Sequence, residues 1–352
     1  METALIKIFA PTAIAFIIGL LITPFVTNWL YKNEMWKKKA GKGTGYGGGA
    51  TPIFDKLHQE KDTNTPRMGG IVIWVSVFLT VLVTSLIAWF GYEEFSFLSR
   101  SQTWLPLFAL AVGALVGFLD DYLVVSGGGK HFAGGLPLSQ RIFVVGATAL
   151  FSAWWFYEKL EVSSVSFFSS EIELGVFFIP FFILVAVAVY SSSVIDGIDG
   201  LSGGVFMFIF SAYTGIAFYQ NQIDIAALCA TIVGGILAFL WFNIPPARFY
   251  MTETGVMALT MTLTVIAFMT DTLADGKGIS VLPVVAFLLV VTVVSNLIQV
   301  GSKRIRSKKV FLVAPIHHHF EALGWPSYKV TMRYWVLGFV CAIVGFLLAI
   351  VL

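Results

Sequence analysis

Along the chain, apolar runs long enough to cross a bilayer alternate with short polar connections. A transmembrane helix needs about 17 to 25 predominantly apolar residues. Runs of that kind cover 5–31, 69–90, 104–125, 176–195, 203–219, 225–244, 281–300 and 334–352, and two shorter ones cover 142–156 and 255–270. The pattern predicts about ten transmembrane helices, an all-α polytopic membrane protein forming one domain over residues 1–352. The first run is longer than the apolar part of a signal peptide and lacks a strongly basic flank, so it is expected to remain as a span. With 57% hydrophobic and 12% charged residues and a mean hydropathy of +0.86, the composition excludes a soluble domain.

A formal net charge of +2 conceals an asymmetry between the connections. The segment 32–68 carries Lys32, Lys37, Lys38, Lys39, Lys42, Lys56, Lys61 and Arg67. The segment 301–333 carries Lys303, Arg304, Arg306, Lys308, Lys309, Lys329 and Arg333. Connections assigned to the other face hold mainly acids: Glu93, Glu94, Glu158, Glu161, Glu171 and Glu173. The positive-inside rule makes both basic segments cytoplasmic loops and puts both termini outside, which fits an even number of spans. The glycine-rich stretch 41–49 within the first loop lacks the glycine and the hydroxyl residue that a phosphate-binding loop needs, and reads as a flexible linker. Cys229 and Cys341 fall inside spans and read as small apolar fillers.

Candidate chemistry collects on the cytoplasmic side. Asp120 and Asp121 close the third run, and adjacent carboxylates at a membrane span call for a cation, phosphate chemistry or a proton path. Asp196 and Asp199 flank Gly197 within Ile195-Asp196-Gly197-Ile198-Asp199-Gly200, which suits either two carboxylates facing one ligand or a pair of helix caps. Glu253 precedes an apolar run, where an acid is also favoured by the helix dipole. Its position beside the four aspartates points to a shared cation held by oxygens, Mg²⁺ or Mn²⁺ rather than zinc. His317, His318 and His319 are consecutive, so their side chains diverge and cannot all bind one ion on a regular helix. Imidazoles there suit contact with a phosphate or sugar, or simply a polar interfacial loop.

Five segments together carry a family resemblance: Thr65-Pro66-Arg67-Met68-Gly69-Gly70, Gly117-Phe118-Leu119-Asp120-Asp121-Tyr122, Ile195 to Leu201, Trp241-Phe242-Asn243 with Pro246-Ala247, and Ala314-Pro315-Ile316-His317-His318-His319-Phe320-Glu321. In this order they resemble the polyprenyl-phosphate sugar-1-phosphate transferases. The histidine segment and Gly324-Trp325-Pro326 resemble the muramoyl-pentapeptide branch of that family. The resemblance implies a ten-helix fold in a bacterial cytoplasmic membrane and a Mg²⁺-dependent reaction. UDP-N-acetylmuramoyl-pentapeptide would pass its phospho-sugar to undecaprenyl phosphate.

The same resemblance assigns Asp120 and Asp121 to the lipid-phosphate end, one of them as base or nucleophile, and gives Glu253 a catalytic and metal-binding role. Lys61, Asp199 and Asn243 would read the uridine and Tyr250 would stack on it, while His317, His318 and His319 contact substrate. Thr65, Ser193 and Asp196 complete the substrate-binding set. The implied partners are the two substrates and the bilayer, a homodimer is allowed, and no nucleic acid is expected. Three positions depart from the family pattern. Glu253 in Thr252-Glu253-Thr254-Gly255-Val256 replaces an aspartate in a Gly-Asp-x-Gly-Ser setting, Ser193 replaces an asparagine, and Thr292 stands where many members have an acid. Three other readings share these features: a sister transferase using UDP-N-acetylglucosamine, a proton-coupled transporter, and a binding paralogue without activity.

Overall fold

The computed structural model describes residues 2–37, 64–127, 135–168, 170–271, 273 and 276–351. The apolar runs form α1 Glu2–Lys32, α2 Ile71–Trp89, α3 Trp104–Ser126, α4 Leu138–Lys159, α5 Phe178–Tyr190, α6 Leu201–Tyr219, α7 Ile223–Asn243 and α8 Thr252–Met269. They are followed by α9 Gly278–Val285, α10 Phe287–Arg306, α11 Ile316–Ala322 and α12 Ser327–Val351. Among the described residues nine helical segments are long and apolar enough to cross a membrane, so the chain is an all-α polytopic membrane protein. The short run 142–156 belongs to α4, a further helix of 22 residues that takes in Arg141 near its start and Glu158 and Lys159 at its end.

Three details differ from the apolar pattern. The run 281–300 is divided between α9 and α10 at Ala286, three residues past Pro283, whose ring removes an amide donor from the last turn of α9. The basic segment 301–333 is not one loop, because α10 continues to Arg306, α11 spans Ile316–Ala322 and α12 starts at Ser327. Between α4 and α5 lies a small antiparallel hairpin, β1 Ser164–Phe167 with β2 Ser170–Glu173, in which Ser164 is opposite Glu173. Asp271 at the end of α8 holds this hairpin to the start of α9, accepting from the Ser166 N–H at 2.7 Å and the Ile279 N–H at 3.0 Å.

Helix α8 is the axis of the bundle. Of its apolar window 94% is buried inside the protein, against 22% for α1 and for α12. A helix face turned to lipid must be apolar, whereas an enclosed helix can carry hydroxyls all round if they are satisfied. Thr260 and Thr262 donate to the carbonyls of Val256 and Ala258 at 2.8 Å, and Thr264 donates to that of Thr260 at 3.1 Å.

Helix α3 approaches α8 through two glycines one turn apart. A Cβ on Gly113 would lie 2.7 Å from the Ala258 Cα, and one on Gly117 would lie 2.2 Å from the Glu253 carbonyl oxygen. Backbone contact this close needs glycine. It brings Asp120 and Asp121, one turn beyond Gly117, onto the first turn of α8. Gly117→Ala should therefore lower the thermal unfolding midpoint in detergent, corresponding to about 1–3 kcal/mol. Gly146→Ala on α4, where an added Cβ meets nothing within 4 Å, should not. Equal midpoints for the two variants would contradict this account of the contact.

Candidate active site

The two adjacent aspartates have different surroundings. Asp121 is fully buried. Its Oδ1 accepts from Arg67 Nη2 at 2.9 Å and Nε at 3.2 Å, and its Oδ2 accepts from the Thr252 hydroxyl, the Thr254 N–H at 2.8 Å and the Thr254 hydroxyl at 2.7 Å. Burial works against the charge of Arg67, but the Asp121 carboxylate beside it holds the guanidinium pKa above its ordinary value. Asp121 thus joins the end of α3, the segment before α2 and the start of α8. A short backbone ladder reinforces the same junction: the Tyr250 N–H donates to the Pro66 carbonyl at 2.9 Å and the Gly69 N–H to the Tyr250 carbonyl at 2.7 Å.

Asp120 faces the other way. Its Oδ1 accepts the Leu136 N–H at 2.6 Å, and its Oδ2 lies 3.9 Å from Arg141 Nη1. The same Nη1 is 2.6 Å from Glu253 Oε1, while the Tyr190 hydroxyl is 3.5 Å from Glu253 Oε2. One guanidinium from α4 therefore stands between a carboxylate of α3 and one of α8. Both acids offer oxygen donors of the kind a hard divalent cation takes. Among the described residues no three His, Cys, Asp or Glu side chains are grouped closely enough to enclose a metal by themselves.

The loop between α5 and α6 packs alongside. Asp196 accepts from the Ser202 hydroxyl at 2.6 Å and from the Thr252 N–H at 2.7 Å. Burial pushes its carboxyl above the usual range, against the pull of those two bonds. The Ser193 carbonyl accepts the Asp196 N–H at 3.2 Å, and Asp199 accepts the Ala247 N–H at 3.3 Å. Asn243 bridges two segments, its Oδ1 accepting the Gly200 N–H at 2.9 Å and its Nδ2 donating to the Phe249 carbonyl at 2.8 Å. Thr252 has a φ of +52°, in the left-handed region. It occupies the place of glycine in the Gly-Asp-x-Gly-Ser setting, and that backbone conformation is a physical reason for glycine there.

The histidines are carried in by the polar face of α10. Ser295, Gln299 and Ser302 fall on one side of that helix and hold the chain that leads to α11. Ser295 Oγ accepts the Ile316 N–H at 3.0 Å, Gln299 Oε1 accepts the Val310 and Phe311 N–H groups at 3.1 and 2.9 Å, and Ser302 donates to the Lys308 carbonyl at 2.9 Å. His317 and His318 lie with ring centroids 4.3 Å apart, both turned toward Gly197. His319 points elsewhere, its Nδ1 accepting the Leu312 N–H at 3.2 Å.

Asp120, Asp121, Asp196 and Glu253 thus meet at one end of the bundle through direct contacts or shared partners, with Ser193, Asp199 and Tyr250 in the adjoining connections, Asn243 at the end of α7, and His317 and His318 against Gly197. Thr65 is half-buried at the start of the segment leading to Arg67. Lys61 and the glycine-rich stretch 41–49 lie outside the described residues. Arg141, Thr252 and Thr254 join the site in addition to the residues expected from the sequence. The two threonines bracket Glu253 at a helix start and were open to recognition as capping hydroxyls. Arg141 carried no local signal.

The family model described as Glycosyl transferase family 4 matches residues 103–271, which include both aspartate pairs, Asn243 and Glu253. Three similar relatives are each named phospho-N-acetylmuramoyl-pentapeptide-transferase. That of Listeria monocytogenes is 34% identical over 338 residues, covering 95% of each chain. That of a Geobacillus species is 32% identical over 295 residues, covering 82% of this chain and 85% of the relative. That of Bacillus thuringiensis is 30% identical over 339 residues, covering 94% of each. Similarity of this extent, running through both the carboxylate cluster and the histidine helix, means that the chain belongs to the phospho-N-acetylmuramoyl-pentapeptide-transferase family.

Proposed function

We propose that the chain transfers phospho-N-acetylmuramoyl-pentapeptide from UDP to undecaprenyl phosphate, releasing UMP and forming lipid I for peptidoglycan synthesis. The observation that carries the reading is the meeting of Asp120, Arg141 and Glu253 at one mouth of the helix bundle, beside the Asp196–Asp199 loop and two imidazoles. A transporter would need acids along a path through the bundle, whereas these gather at one end. The basic segments around the mouth support a cytoplasmic orientation, with both termini outside, in a bacterial cytoplasmic membrane.

In this reading an oxygen of undecaprenyl phosphate attacks the phosphorus attached to the sugar. A new P–O bond forms as the bond to the oxygen shared with UMP breaks, and the electron pair leaves with UMP. Asp120 takes the proton of the lipid phosphate, because the oxygens of Asp121 already hold five donors while, among the described residues, Asp120 Oδ2 has Arg141 at 3.9 Å. Asp121 keeps Arg67 and the start of α8 in place. Arg141 supplies positive charge to the diphosphate. The carboxylate oxygens of Glu253 and Asp120 are of the kind that would hold Mg²⁺. Once bound, the ion would neutralise phosphate charge. Asp199, Asn243, Tyr250 and Lys61 are proposed for the uridine end, and Thr65, Ser193, Asp196 and the histidines for the remainder of the donor.

Purified protein given undecaprenyl phosphate, Mg²⁺ and the pentapeptide donor should release UMP. Release with UDP-N-acetylglucosamine and none with the pentapeptide donor would instead indicate the sister reaction. Asp120→Asn should lose about 10²- to 10⁴-fold in turnover without a change in melting. Asp121→Asn should act mainly on stability, on the order of 3 kcal/mol, because Arg67 loses its partner. The reverse pattern would exchange the two roles. Glu253→Ala should reduce both turnover and Mg²⁺ affinity, with Glu253→Asp retaining part of each. Unchanged turnover in both variants would remove Glu253 from the metal site.

A further inference from the structure

Behind His318, already assigned to the donor, lies a buried polar relay whose other members, Glu321 and Ser327, have no part in the chemistry described so far. On α11 the Nδ1 of His318 lies 2.7 Å from Glu321 Oε2, and Ser327, the first residue of α12, donates its hydroxyl to Glu321 Oε1 at 2.6 Å. His318 is 2% exposed and Glu321 9%. Enclosing a carboxylate against an imidazole carries a desolvation penalty that an apolar pair would avoid, so stability alone is a weak reason for the arrangement. Orientation is a better one. An ionised carboxylate only accepts hydrogen bonds, which puts a hydrogen on Nδ1 and aims it at Glu321. The opposite edge of the ring faces Gly197, where an added Cβ would lie 2.6 Å from His318 Nε2. Gly197 is the neighbour of Asp196 in the loop that also carries Asp199.

We propose that Glu321, backed by Ser327, is a positioning residue that keeps a proton on His318 Nδ1. Nε2 is then the atom that meets the donor substrate. With the carboxylate on Nδ1, a second proton binds at Nε2 without rotation of the ring, and a protonated Nε2 donates to a diphosphate oxygen. The identity of that ligand rests on the transferase reading. The tautomer does not.

Glu321→Gln separates the two. Where Ser327 goes on donating, as it does to the carboxylate, it takes the carbonyl end of the new amide, the NH₂ end faces Nδ1, and the ring must carry its proton on Nε2 instead. In full-length protein labelled with ¹⁵N-histidine, five histidines are present and His318→Gln identifies the relevant signals. The variant should lose the pyrrole-type Nδ1 signal of His318, and kcat/KM for UMP release should fall about 10-fold or more. Adding Ser327→Ala lets the amide turn over and should restore part of both, which lost packing would not do. A variant that melts like the parent with unchanged His318 nitrogens overturns the proposal, as does a changed tautomer with unchanged kinetics. Where the parent itself releases no UMP, the transferase reading fails and the nitrogen signals still decide the tautomer. Should Glu321→Gln not fold, Glu321→Asp withdraws the carboxylate by one methylene. It should weaken the Nδ1 signature and reduce turnover, and no change in either overturns the assignment.

Discussion

The carboxylate of Asp121 is the constraint on which the site depends. An ionised group taken wholly out of water is tolerated only when donors replace its hydration, and five do so here from Arg67, Thr252 and Thr254. Because those donors come from two segments far from α3 in sequence, satisfying one charge also fixes three pieces of backbone relative to each other. One donor is a first-turn amide of α8, where the helix dipole also favours an anion. The close glycine contact between α3 and α8 makes the arrangement reachable, since a side chain at Gly117 would hold the two backbones apart.

Thr252 shows how the chain has adapted this junction. A left-handed backbone disfavours a β-branched residue, by roughly 1–2 kcal/mol. Against that, its hydroxyl donates to Asp121 and accepts the Met68 N–H at 3.0 Å, while its own N–H donates to Asp196 at 2.7 Å. Glycine would relieve the backbone and lose the hydroxyl. Relative to the Gly-Asp pattern that the resemblance implies, Thr-Glu therefore adds two hydrogen bonds on the structural side of the cluster and extends the acid by one methylene on the other. That longer acid reaches Arg141.

The fold was legible because the bilayer imposes a length and an apolar surface on every span, and both are local properties of sequence. The same rule obscured which helix lies at the centre. The enclosed helix α8 is less uniformly apolar than α1 or α12, because threonine is acceptable where protein rather than lipid surrounds it. The clustering of the acids on one side was legible from loop charge. Their pairing was not, since Arg141 meets Glu253 across 112 residues and only the glycine-mediated approach of α3 and α8 gathers the partners. The divergence of the three histidines followed from helix geometry alone, and His319 does turn away from the other two. The hairpin before α5 left no trace in the apolar pattern, because the buried part of β1 holds one apolar residue between two serines, and Ser166 ties it to Asp271 and Gly276.

Burial alone is a poor guide to which acid reacts. Asp121 is the most enclosed of the five and the most fully bonded, and Asp196 has a donor on each oxygen. A carboxylate in that condition holds structure, since taking up a proton would break bonds already made. Among the described residues Asp120 and Glu253 have one short, strong contact each, and their second oxygens meet partners at 3.9 and 3.5 Å. Such an oxygen can exchange a distant partner for a proton, a phosphate or a cation at little cost. The guanidinium of Arg141 stands between the under-bonded Oδ2 of Asp120 and the Oε1 of Glu253, so the place where charge can be exchanged is set by what the better-bonded acids leave over.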